Sequence, residues 1–543
     1  MKLKILLPVL IPGMVLLSLQ SCTDKSKIKP ESETPDLSSQ KSIDAIDAAG
    51  QFATFSITNK EAAMVLQIND YGLNNGAKAN LGPFGGTGVG RNNQKWKVRN
   101  MGGGNYTVMN LGSGKMLEAS GDREQVFQNQ KTGADNQLWR VEPLSGGTYK
   151  IISKANGLVL SYPGAHVKNA PVGLAAYEDA AKQGWKLAII PADSYRDDEA
   201  TRFLQRTSGS SAFDGGSSVL LSTGQVLWLT NDTFYNQINS TGNFNCRTIF
   251  PYRNSALLQP ASKSWDPALT KNIMSPFGVE TFRTADNKNL LWPGAAIQVG
   301  NKVYVHNIEV PRSNLNTVNQ YLTEMSPGTS PLSIPKPVNL SIPGMTGQTA
   351  IVYSIGMVKP GDGFVYVYGA GGFVGAGVYV AKFATSNPAS WTFWNGTAWV
   401  DKPTTAGAAR VGSGPINNNT VGYVNGKYVL IAMDYGFTCD AEPRDVYLST
   451  STSPTGPFIN KKKVYTLPDK KQGHKPVFYN PTIHSHFDNG DRELLVNYCL
   501  NFYSKNDGKG GVCLPDCSNP DGSKDPNDYR PKSIRIPYSL IGL

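Results

Sequence analysis

Short apolar runs separated by polar turns recur along the chain from about residue 50 to its end. Gly, Asn and Asp punctuate these runs, and stretches with apolar residues at helical spacing are almost lacking. The content of 56 Gly, 35 Pro, 24 Tyr and 9 Trp fits the same interpretation. The pattern therefore predicts an all-β protein.

The segment from Phe52 to about Ile190 contains a threefold repeat. Each copy ends in a tryptophan, and the three endings are Asn93-Gln94-Lys95-Trp96, Asn136-Gln137-Leu138-Trp139 and Lys182-Gln183-Gly184-Trp185. Each copy also has an earlier apolar strand, at 63–68, 115–119 and 157–161. Because one such repeat cannot cover its own apolar face, three of them predict a closed threefold barrel.

The three Gln-x-Trp endings resemble those of the ricin-type β-trefoil lectins, and the predicted trefoil covers residues 51–192. The resemblance implies that the tryptophans belong to the core and that each sugar pocket pairs an acidic residue with an aromatic ring. The acidic position reads Gln67, Glu118 and Ser161, and the aromatic position reads Phe84, Asn129 and Ala175. No repeat keeps both, so we expect either one glycan site, at Glu118 or at Phe84, or a degenerate module that acts as a spacer.

A different pattern begins after residue 192. Five pairs of apolar strands follow, at 219–221 with 226–229, 296–299 with 303–305, 351–353 with 364–368, 421–423 with 428–431, and 482–484 with 493–496. Five such units predict a five-bladed β-propeller over residues 193–543, with a two-sheet sandwich as the alternative. The last strand, 532–536, is predicted to return to the first blade and close the ring.

Lys2 and Lys4 precede an uncharged run from Ile5 to Leu19, and Cys22 follows this run closely. This arrangement resembles a lipoprotein signal peptide over residues 1–21, with lipid attached to Cys22 after cleavage. An ordinary signal peptide with an incidental cysteine is the alternative. Residues 22–50 are polar enough to predict a flexible tether. We therefore expect a bacterial lipoprotein of the cell envelope, at the outer membrane, periplasmic or surface-exposed, that meets the membrane through its lipid only.

The net charge of +11 is spread along the chain, without a basic run that carries interleaved aromatic residues. Nucleic acid is therefore not an expected partner, and solubility or acidic glycans explain a basic surface equally well. Five further cysteines stand at 246, 439, 499, 513 and 517. Cys513 and Cys517 could close a small disulfide loop, but the pairing stays open.

The stretch Phe213-Asp214-Gly215-Gly216-Ser217-Ser218 leads through a strand and a glycine turn into Leu227-Trp228-Leu229-Thr230-Asn231-Asp232-Thr233-Phe234. Here, and in shorter motifs such as Trp292-Pro293-Gly294 and Tyr529-Arg530-Pro531, residues 195–543 resemble the uncharacterised-domain families 5005 and 4185, with 5005 nearer. These families look like distant relatives of the five-bladed furanosidases of glycoside hydrolase family 43, and family 4185 is linked to endo-D-arabinan hydrolysis. The resemblance makes a glycoside hydrolase the expected activity.

Hydrolysis of a glycosidic bond needs two carboxyl groups at one bond. The resemblance places Asp214 at the base or nucleophile position, and Asp232 is the natural second carboxylate, although both also fit ordinary turns. Glu309 and Glu442 are the candidates for the general acid. Ala295 and Ala296 stand where the family tends to have Asp-Gly, so a propeller that binds without cleaving is an alternative.

Further residues are expected to bind substrate or an ion. The substrate-binding candidates are Trp292, Arg253, Asn254, Asn480, His484 and Arg530 in the propeller, with Glu118 and Phe84 in the trefoil. His484 and His486 lie on the same face of a strand and could share a ligand. No cofactor is expected, with calcium at these histidines as an alternative.

These features together predict a glycan-processing lipoprotein. The leading hypothesis is a glycoside hydrolase that acts on a polysaccharide, with a furanose-containing or arabinan-type polymer as a candidate, and a trefoil that holds the polymer. The alternatives are a carbohydrate-binding protein with an inactive propeller and an adhesion lipoprotein without chemistry.

Overall fold

The computed structural model describes residues 43–543, with gaps at 122–124, 165–167, 179, 247–249, 315, 328–332, 372–376, 416–417, 439, 472, 502–503, 507–512 and 516–521. The described residues belong to one compact unit, Lys41–Leu543. Cys22 lies outside the described residues, so the signal peptide and the lipid anchor stay predictions. No helix in the described part of the chain is long and apolar enough to cross a membrane.

The N-terminal module is a sheet of 12 strands. These are β1 (Phe52–Asn59), β2 (Val65–Ile68), β3 (Ala77–Gly82), β4 (Trp96–Gly102), β5 (Asn105–Asn110), β6 (Met116–Ala119), β7 (Val126–Asn129), β8 (Trp139–Leu144), β9 (Thr148–Ser153), β10 (Val159–Ser161), β11 (Gly173–Ala175) and β12 (Trp185–Ile190). Strand β1 pairs with both β4 and β12, which closes the sheet. The predicted β-trefoil is confirmed.

The three tryptophans of the repeat hold equivalent positions in the core of the trefoil. Trp96, Trp139 and Trp185 are fully buried. Each indole N–H donates to the backbone carbonyl of the leucine in the second strand of its own repeat, over 2.9, 3.1 and 2.9 Å. A buried indole needs such a partner, so these bonds fix the repeat spacing that the sequence shows.

Most of the remaining strands form five antiparallel blades. In chain order the strands are β13 (Tyr195–Arg196), β14 (Ser210–Leu220), β15 (Val226–Tyr235), β16 (Phe244–Asn245), β17 (Ser255–Gln259), β18 (Lys271–Ile273), β19 (Asn289–Val299), β20 (Lys302–Pro311), β21 (Asn319–Met325), β22 (Val338–Leu340), β23 (Ile351–Val358), β24 (Phe364–Gly371), β25 (Gly377–Ala384), β26 (Asn387–Trp394), β27 (Trp399–Val400), β28 (Gly412–Ser413), β29 (Asn419–Val424), β30 (Lys427–Met433), β31 (Asp445–Ser451), β32 (Ile459–Thr466), β33 (Val477–His484), β34 (Glu493–Asn501), β35 (Ser504–Asn506), β36 (Cys513–Pro515), β37 (Ser523–Lys524) and β38 (Lys532–Pro537). The blades are β14-β15-β17-β18, β19-β20-β21-β22, β23-β24-β25-β26, β29-β30-β31-β32 and β33-β34-β38-β13. The predicted five-bladed propeller is confirmed.

Helices are short in the described residues. The α-helices are α1 (Ala180–Gln183), α2 (Asp198–Phe203) and α3 (Tyr538–Ile541). The 3-10 helices are Ile43–Ile46, Asn69–Tyr71, Asn92–Gln94, Asp135–Gln137, Pro267–Leu269, Gly407–Ala409 and Pro526–Asp528. The fold is therefore built almost wholly from strand pairing.

The predicted way of closing the ring is wrong. The last strand, β38, does not return to the first blade but pairs with β34 and β13 inside the fifth blade. All six residues of β38 are buried, so both edges of this strand need backbone partners. Strand β13, which directly follows the trefoil, supplies the outer partner.

Glycines in three inner strands allow neighbouring blades to approach closely. A Cβ atom added at Gly294 would lie 2.6 Å from the Cβ of Ser354, and one at Gly356 would lie 2.3 Å from the carbonyl oxygen of Val421. A Cβ at Gly422 would lie 2.6 Å from Ile483. These distances are shorter than van der Waals contact, so a larger side chain would push the inner strands apart.

The trefoil contacts the fifth blade through a cluster of charges. Lys97 of β4 lies 2.9 Å from Asp491 and 2.8 Å from Glu493, and its side chain is 7% exposed. Arg99 pairs with the same Asp491. The Tyr195 hydroxyl donates to Glu493 over 2.6 Å. Buried charges of opposite sign thus connect the two modules.

Candidate active site

The innermost strands β14, β19, β23, β29 and β33 enclose a cavity of about 960 Å³. Its wall combines polar groups from the first part of these strands with small and apolar residues farther along them. Among the described lining residues, the charged side chains are Asp214, Asp232 and Lys359. A concave site with a few convergent polar groups is the usual form of a small-ligand or substrate site.

Asp214 is positioned by irregular pairing between β14 and β15. The register shifts on both sides of Gly215, whose φ of 70° lies in the left-handed region that favours glycine. Such a bulge turns a neighbouring side chain away from its regular direction. The Tyr479 hydroxyl donates to Oδ2 of Asp214 over 2.7 Å. Burial and the charge of Asp232 together raise the pKa of Asp214 to about 7, against the lowering effect of the Tyr479 hydrogen bond.

Asp232 lies on the next strand, β15, and receives two side-chain donors. The Trp292 indole N–H donates to Oδ1 over 3.0 Å, and Arg253 forms an ion pair with the same oxygen at 3.3 Å. Burial raises the pKa of Asp232 to about 6, even though Arg253 and Trp292 act to lower it. The Tyr529 hydroxyl donates to the backbone carbonyl of Asp232 over 3.1 Å.

The two aspartates are neighbouring buried carboxyl groups in one cavity. Desolvation moves both pKa values toward neutrality, and the donors around Asp232 favour ionisation of that partner. Environments that give two carboxyl groups different pKa values allow one group to hold a proton while the other stays ionised. The arrangement can therefore supply an acid and a base at one site.

The two glutamates expected to act as acid lie elsewhere. Glu309 is on the second strand of its blade and accepts bonds from Asn289 over 2.6 Å and Asn319 over 3.1 Å. Glu442 is exposed and pairs with Lys475. Neither residue lines the cavity, and no glutamate is present among its described lining residues.

The expected substrate-binding residues of the propeller separate into two groups. Trp292 and Asn480 line the cavity, and Arg253 reaches its edge through Asp232. Asn254 and Arg530 are buried and donate to backbone carbonyls, Asn254 to Phe282 and Leu291, and Arg530 to Ser211 and Arg206. The geometry of the second group fits a role in holding strands together.

His484 and His486 share a protein partner. The Ser218 hydroxyl lies 2.6 Å from Nδ1 of His484 and 3.2 Å from Nε2 of His486. Burial lowers the pKa of His484 well below its ordinary value and that of His486 to about 3, so both rings are neutral near pH 7. Calcium prefers a cage of oxygen ligands, which this cluster does not offer. In the described part of the chain, no group of three or more His, Cys, Asp or Glu side chains is placed to hold a metal ion.

The two trefoil candidates differ in how accessible they are. Glu118 is buried, and its two oxygens accept bonds from Asn129 over 2.9 Å and Gln137 over 2.6 Å. The ring of Phe84 is 40% exposed. Glu118 therefore serves hydrogen bonds inside its repeat, whereas the Phe84 ring is free to meet a ligand.

Several residues in or next to the cavity were not among the candidates chosen from the sequence. Tyr479 binds Asp214 and Tyr529 binds Asp232, while Phe250 and Phe437 line the cavity. Tyr479 occupies the same part of its inner strand as Asp214 and Trp292 do in theirs. An alignment of the five inner-strand sequences by their position in the blade would have identified Tyr479.

Two β-modules define the class of this protein, a β-trefoil joined to a five-bladed propeller with paired carboxyl groups in its channel. Residues 197–538 match the family described as Domain of unknown function (DUF5005), and the chain belongs to that family. Residues 92–175 and 135–217 match the description Ricin-type beta-trefoil lectin domain-like. No curated protein matches the chain.

Solved structures also resemble parts of the chain. A candidate hydrolase from Bacteroides ovatus is 20% identical with a TM-score of 0.48, covering 63% of this chain and 89% of that one. An exo-β-1,3-galactanase from Clostridium thermocellum is 22% identical with a TM-score of 0.25, covering 26% and 31%. A Macrolepiota procera ricin B-like lectin, solved with lactose, is 19% identical with a TM-score of 0.22, covering 26% and 98%.

Proposed function

We propose that the protein is a glycoside hydrolase of the cell envelope that cleaves a polysaccharide in the propeller channel. The observation that carries the proposal is the pair Asp214 and Asp232, two neighbouring desolvated carboxyl groups in one cavity of about 960 Å³. A glycosidic bond is cleaved by this type of pair, one group protonating the leaving oxygen and the other activating water or attacking carbon.

The surroundings of the two carboxyl groups suggest their roles. Asp232 receives the Arg253 and Trp292 donors and is the group that ionises more readily, so it acts as base or nucleophile. Asp214, whose pKa is raised most, retains the proton and acts as the acid. This assignment reverses the role that the family resemblance gave to Asp214.

The trefoil would hold the polymer near the channel. The match of residues 92–175 and 135–217 to a ricin-type lectin domain supports glycan binding by the module. The exposed ring of Phe84 supports a site in the first repeat. An aromatic ring can pack on the C–H face of a sugar. Linking two weak sites raises the overall affinity for a long polymer.

A binding protein with an inactive propeller is the second candidate. Ala295 lines the cavity at the position where the resembling families tend to have an aspartate. The lack of a glutamate among the described lining residues supports the same candidate.

The deciding experiment compares wild type with Asp214→Asn and Asp232→Asn on arabinans, galactans and host glycans. We expect sugar release by wild type, and rates lower by roughly 100-fold or more in each variant. Binding of the same glycans by all three proteins, with no release by wild type, would favour the binding protein. Measuring the anomer released first would show whether the enzyme retains or inverts.

Attachment to a membrane through Cys22 is part of the proposal. The apolar run from Ile5 to Leu19 and the polar stretch that follows Cys22 support it. Labelled palmitate should enter the wild-type chain in a bacterial host and be absent from Cys22→Ala. Equal labelling of the two chains would contradict lipid attachment at this cysteine.

A further inference from the structure

Two exposed aromatic rings stand beside the acidic end of the channel. Tyr435 and Phe437 follow strand β30 and are 36% and 39% exposed. Their ring centroids are 5.8 Å apart. Phe437 lines the cavity and lies 5.4 Å from the ring of Tyr479, whose hydroxyl donates to Asp214. The rings therefore form a continuous path from solvent to Asp214.

The segment that carries the two rings is fixed to the fifth blade. Gly436, which lies between them, accepts a backbone hydrogen bond from the N–H of Phe478 over 3.1 Å. A Cβ added at Gly436 would lie 2.1 Å from the carbonyl oxygen of Phe478. Only glycine allows this approach, so the backbone contact fixes where both rings stand.

Exposed rings of this kind need an explanation, because large apolar side chains are usually buried and exposed apolar surface often marks a binding site. The ring faces suit the C–H faces of sugars. The charges along the channel limit which class of sugar chain it can accept. The charged groups among its described lining residues are two carboxyl groups and Lys359. Lys359 directly follows β23, at the opposite end of the channel from Asp214. Arg253, the cation at this end, is already paired with Asp232. A uronic-acid polymer would therefore meet two carboxyl groups with no unpaired cation beside them among the described lining residues.

We propose that Tyr435 and Phe437 form a stacking site for consecutive sugars of a neutral glycan chain that enters the channel toward Asp214. This inference rests on the proposed function, since it assigns the substrate class of the same channel. It implies that the protein acts on chains of several sugars and holds them lengthwise, with the sugars beyond the cleaved bond on the two rings.

The test uses the full-length chain and oligosaccharides of increasing length from the first arabinan or galactan that wild type cleaves. Tyr435→Ala and Phe437→Ala should each raise KM for long oligosaccharides about tenfold. The values for the shortest cleaved substrate should change less than about twofold. Tyr435→Phe keeps the ring and should behave as wild type. Leu269→Ala, which removes an exposed side chain of the first blade, is the matched control.

Equal length dependence in wild type and the double variant Tyr435→Ala/Phe437→Ala would overturn the stacking site. If wild type cleaves nothing, the proposed hydrolysis fails, and the stacking site is still tested by titrating arabinan and galactan oligosaccharides of increasing length into wild type and the double variant. Gly436→Ala should weaken binding of long oligosaccharides as the ring variants do.

The neutral character of the ligand is tested with polygalacturonate. Its binding to wild type and to the double variant should be equal, because any affinity it has would lie outside the channel. A loss of polygalacturonate binding in the double variant, similar to the loss for arabinan or galactan, would overturn the restriction to neutral chains.

Discussion

Asp214 lies in surroundings that disfavour its ionised form. The inner strands bury it, and Asp232 adds a second negative charge nearby, while hydrogen bonds from Tyr479 and Tyr529 compensate only in part. A carboxyl group in such surroundings makes the folded state bind a proton more tightly than the unfolded chain does. The raised pKa of Asp214 therefore affects both the free energy of unfolding and the protonation state of the site.

The stability of the fold should increase at neutral pH when Asp214 is replaced by Asn. The pKa rises from 3.8 to about 7 on folding, so stability present below the unfolded value is lost as pH rises through the folded value. We expect the free energy of unfolding of Asp214→Asn to exceed that of wild type by about 1 to 3 kcal/mol at pH 8, with the difference shrinking toward pH 4. Urea unfolding at the two pH values measures it.

Asp286→Asn is the control for this experiment. Asp286 is exposed, and the backbone N–H of Lys288 helps to lower its pKa, so its removal should give no gain at pH 8. Equal effects of the two substitutions would show that burial of Asp214 does not set its pKa.

The proposed glycan cleavage should depend on pH as expected for two neighbouring carboxyl groups of different pKa. With Asp232 acting as base near pH 6 and Asp214 as acid near pH 7, kcat/KM should peak between these values and fall on both sides. Tyr479→Phe removes a bond that lowers the pKa of Asp214, so the alkaline limb should move to higher pH. An unchanged alkaline limb in that variant would separate Tyr479 from the titration of Asp214.

Only part of the candidate site could be predicted from single residues. Asp214 and Asp232 were identified because a motif surrounds them, and the structure brings both into the cavity. Glu309 could not be placed, because an apolar strand pair does not reveal which of its strands faces the channel. The carboxyl environment depends on Tyr479 and Tyr529, which are far from Asp214 in sequence and meet it only when the fifth blade completes the ring.

At the scale of elements, glycines in the inner strands allow neighbouring blades to pack closely. Gly356→Ala should destabilise the fold by about 1 to 3 kcal/mol, because its Cβ would lie 2.3 Å from the Val421 carbonyl oxygen across the blade boundary. Thermal unfolding measures the loss. Gly407→Ala is the matched control, since nothing lies within 4 Å of its added Cβ, and it should change stability by about 0.5 kcal/mol or less. Similar losses in both variants would point to backbone conformation instead of crowding.

The elements themselves were largely predictable. The three Gln-x-Trp endings identified the trefoil because each tryptophan has the same buried hydrogen bond, and a repeated contact leaves a repeated sequence. Five strand pairs likewise predicted five blades. The strand β13 was missed because Tyr195 and Arg196 are too short a segment to form a pattern, and their pairing with β38 is long-range.

At the scale of the whole molecule, the trefoil and propeller are connected by the charge cluster around Lys97. Lys97→Met should destabilise the protein by about 2 to 4 kcal/mol, because Asp491 and Glu493 would keep their charges at a buried contact. Calorimetry should then show two separated transitions, one for each module. Lys154→Met, which removes an exposed ion pair with Asp135, should cost less than about 0.5 kcal/mol. A single unshifted transition in Lys97→Met would mean that other contacts join the modules.

The outer strand of the fifth blade has a consequence for biosynthesis. Residues 195–196 are synthesised before the other described propeller strands, yet their partner β38 is the last of the described strands in chain order. The fifth blade therefore cannot be completed until β38 has been synthesised. A propeller expressed from residue 197 onward would lack this strand, leaving β38 with an exposed edge that invites self-association.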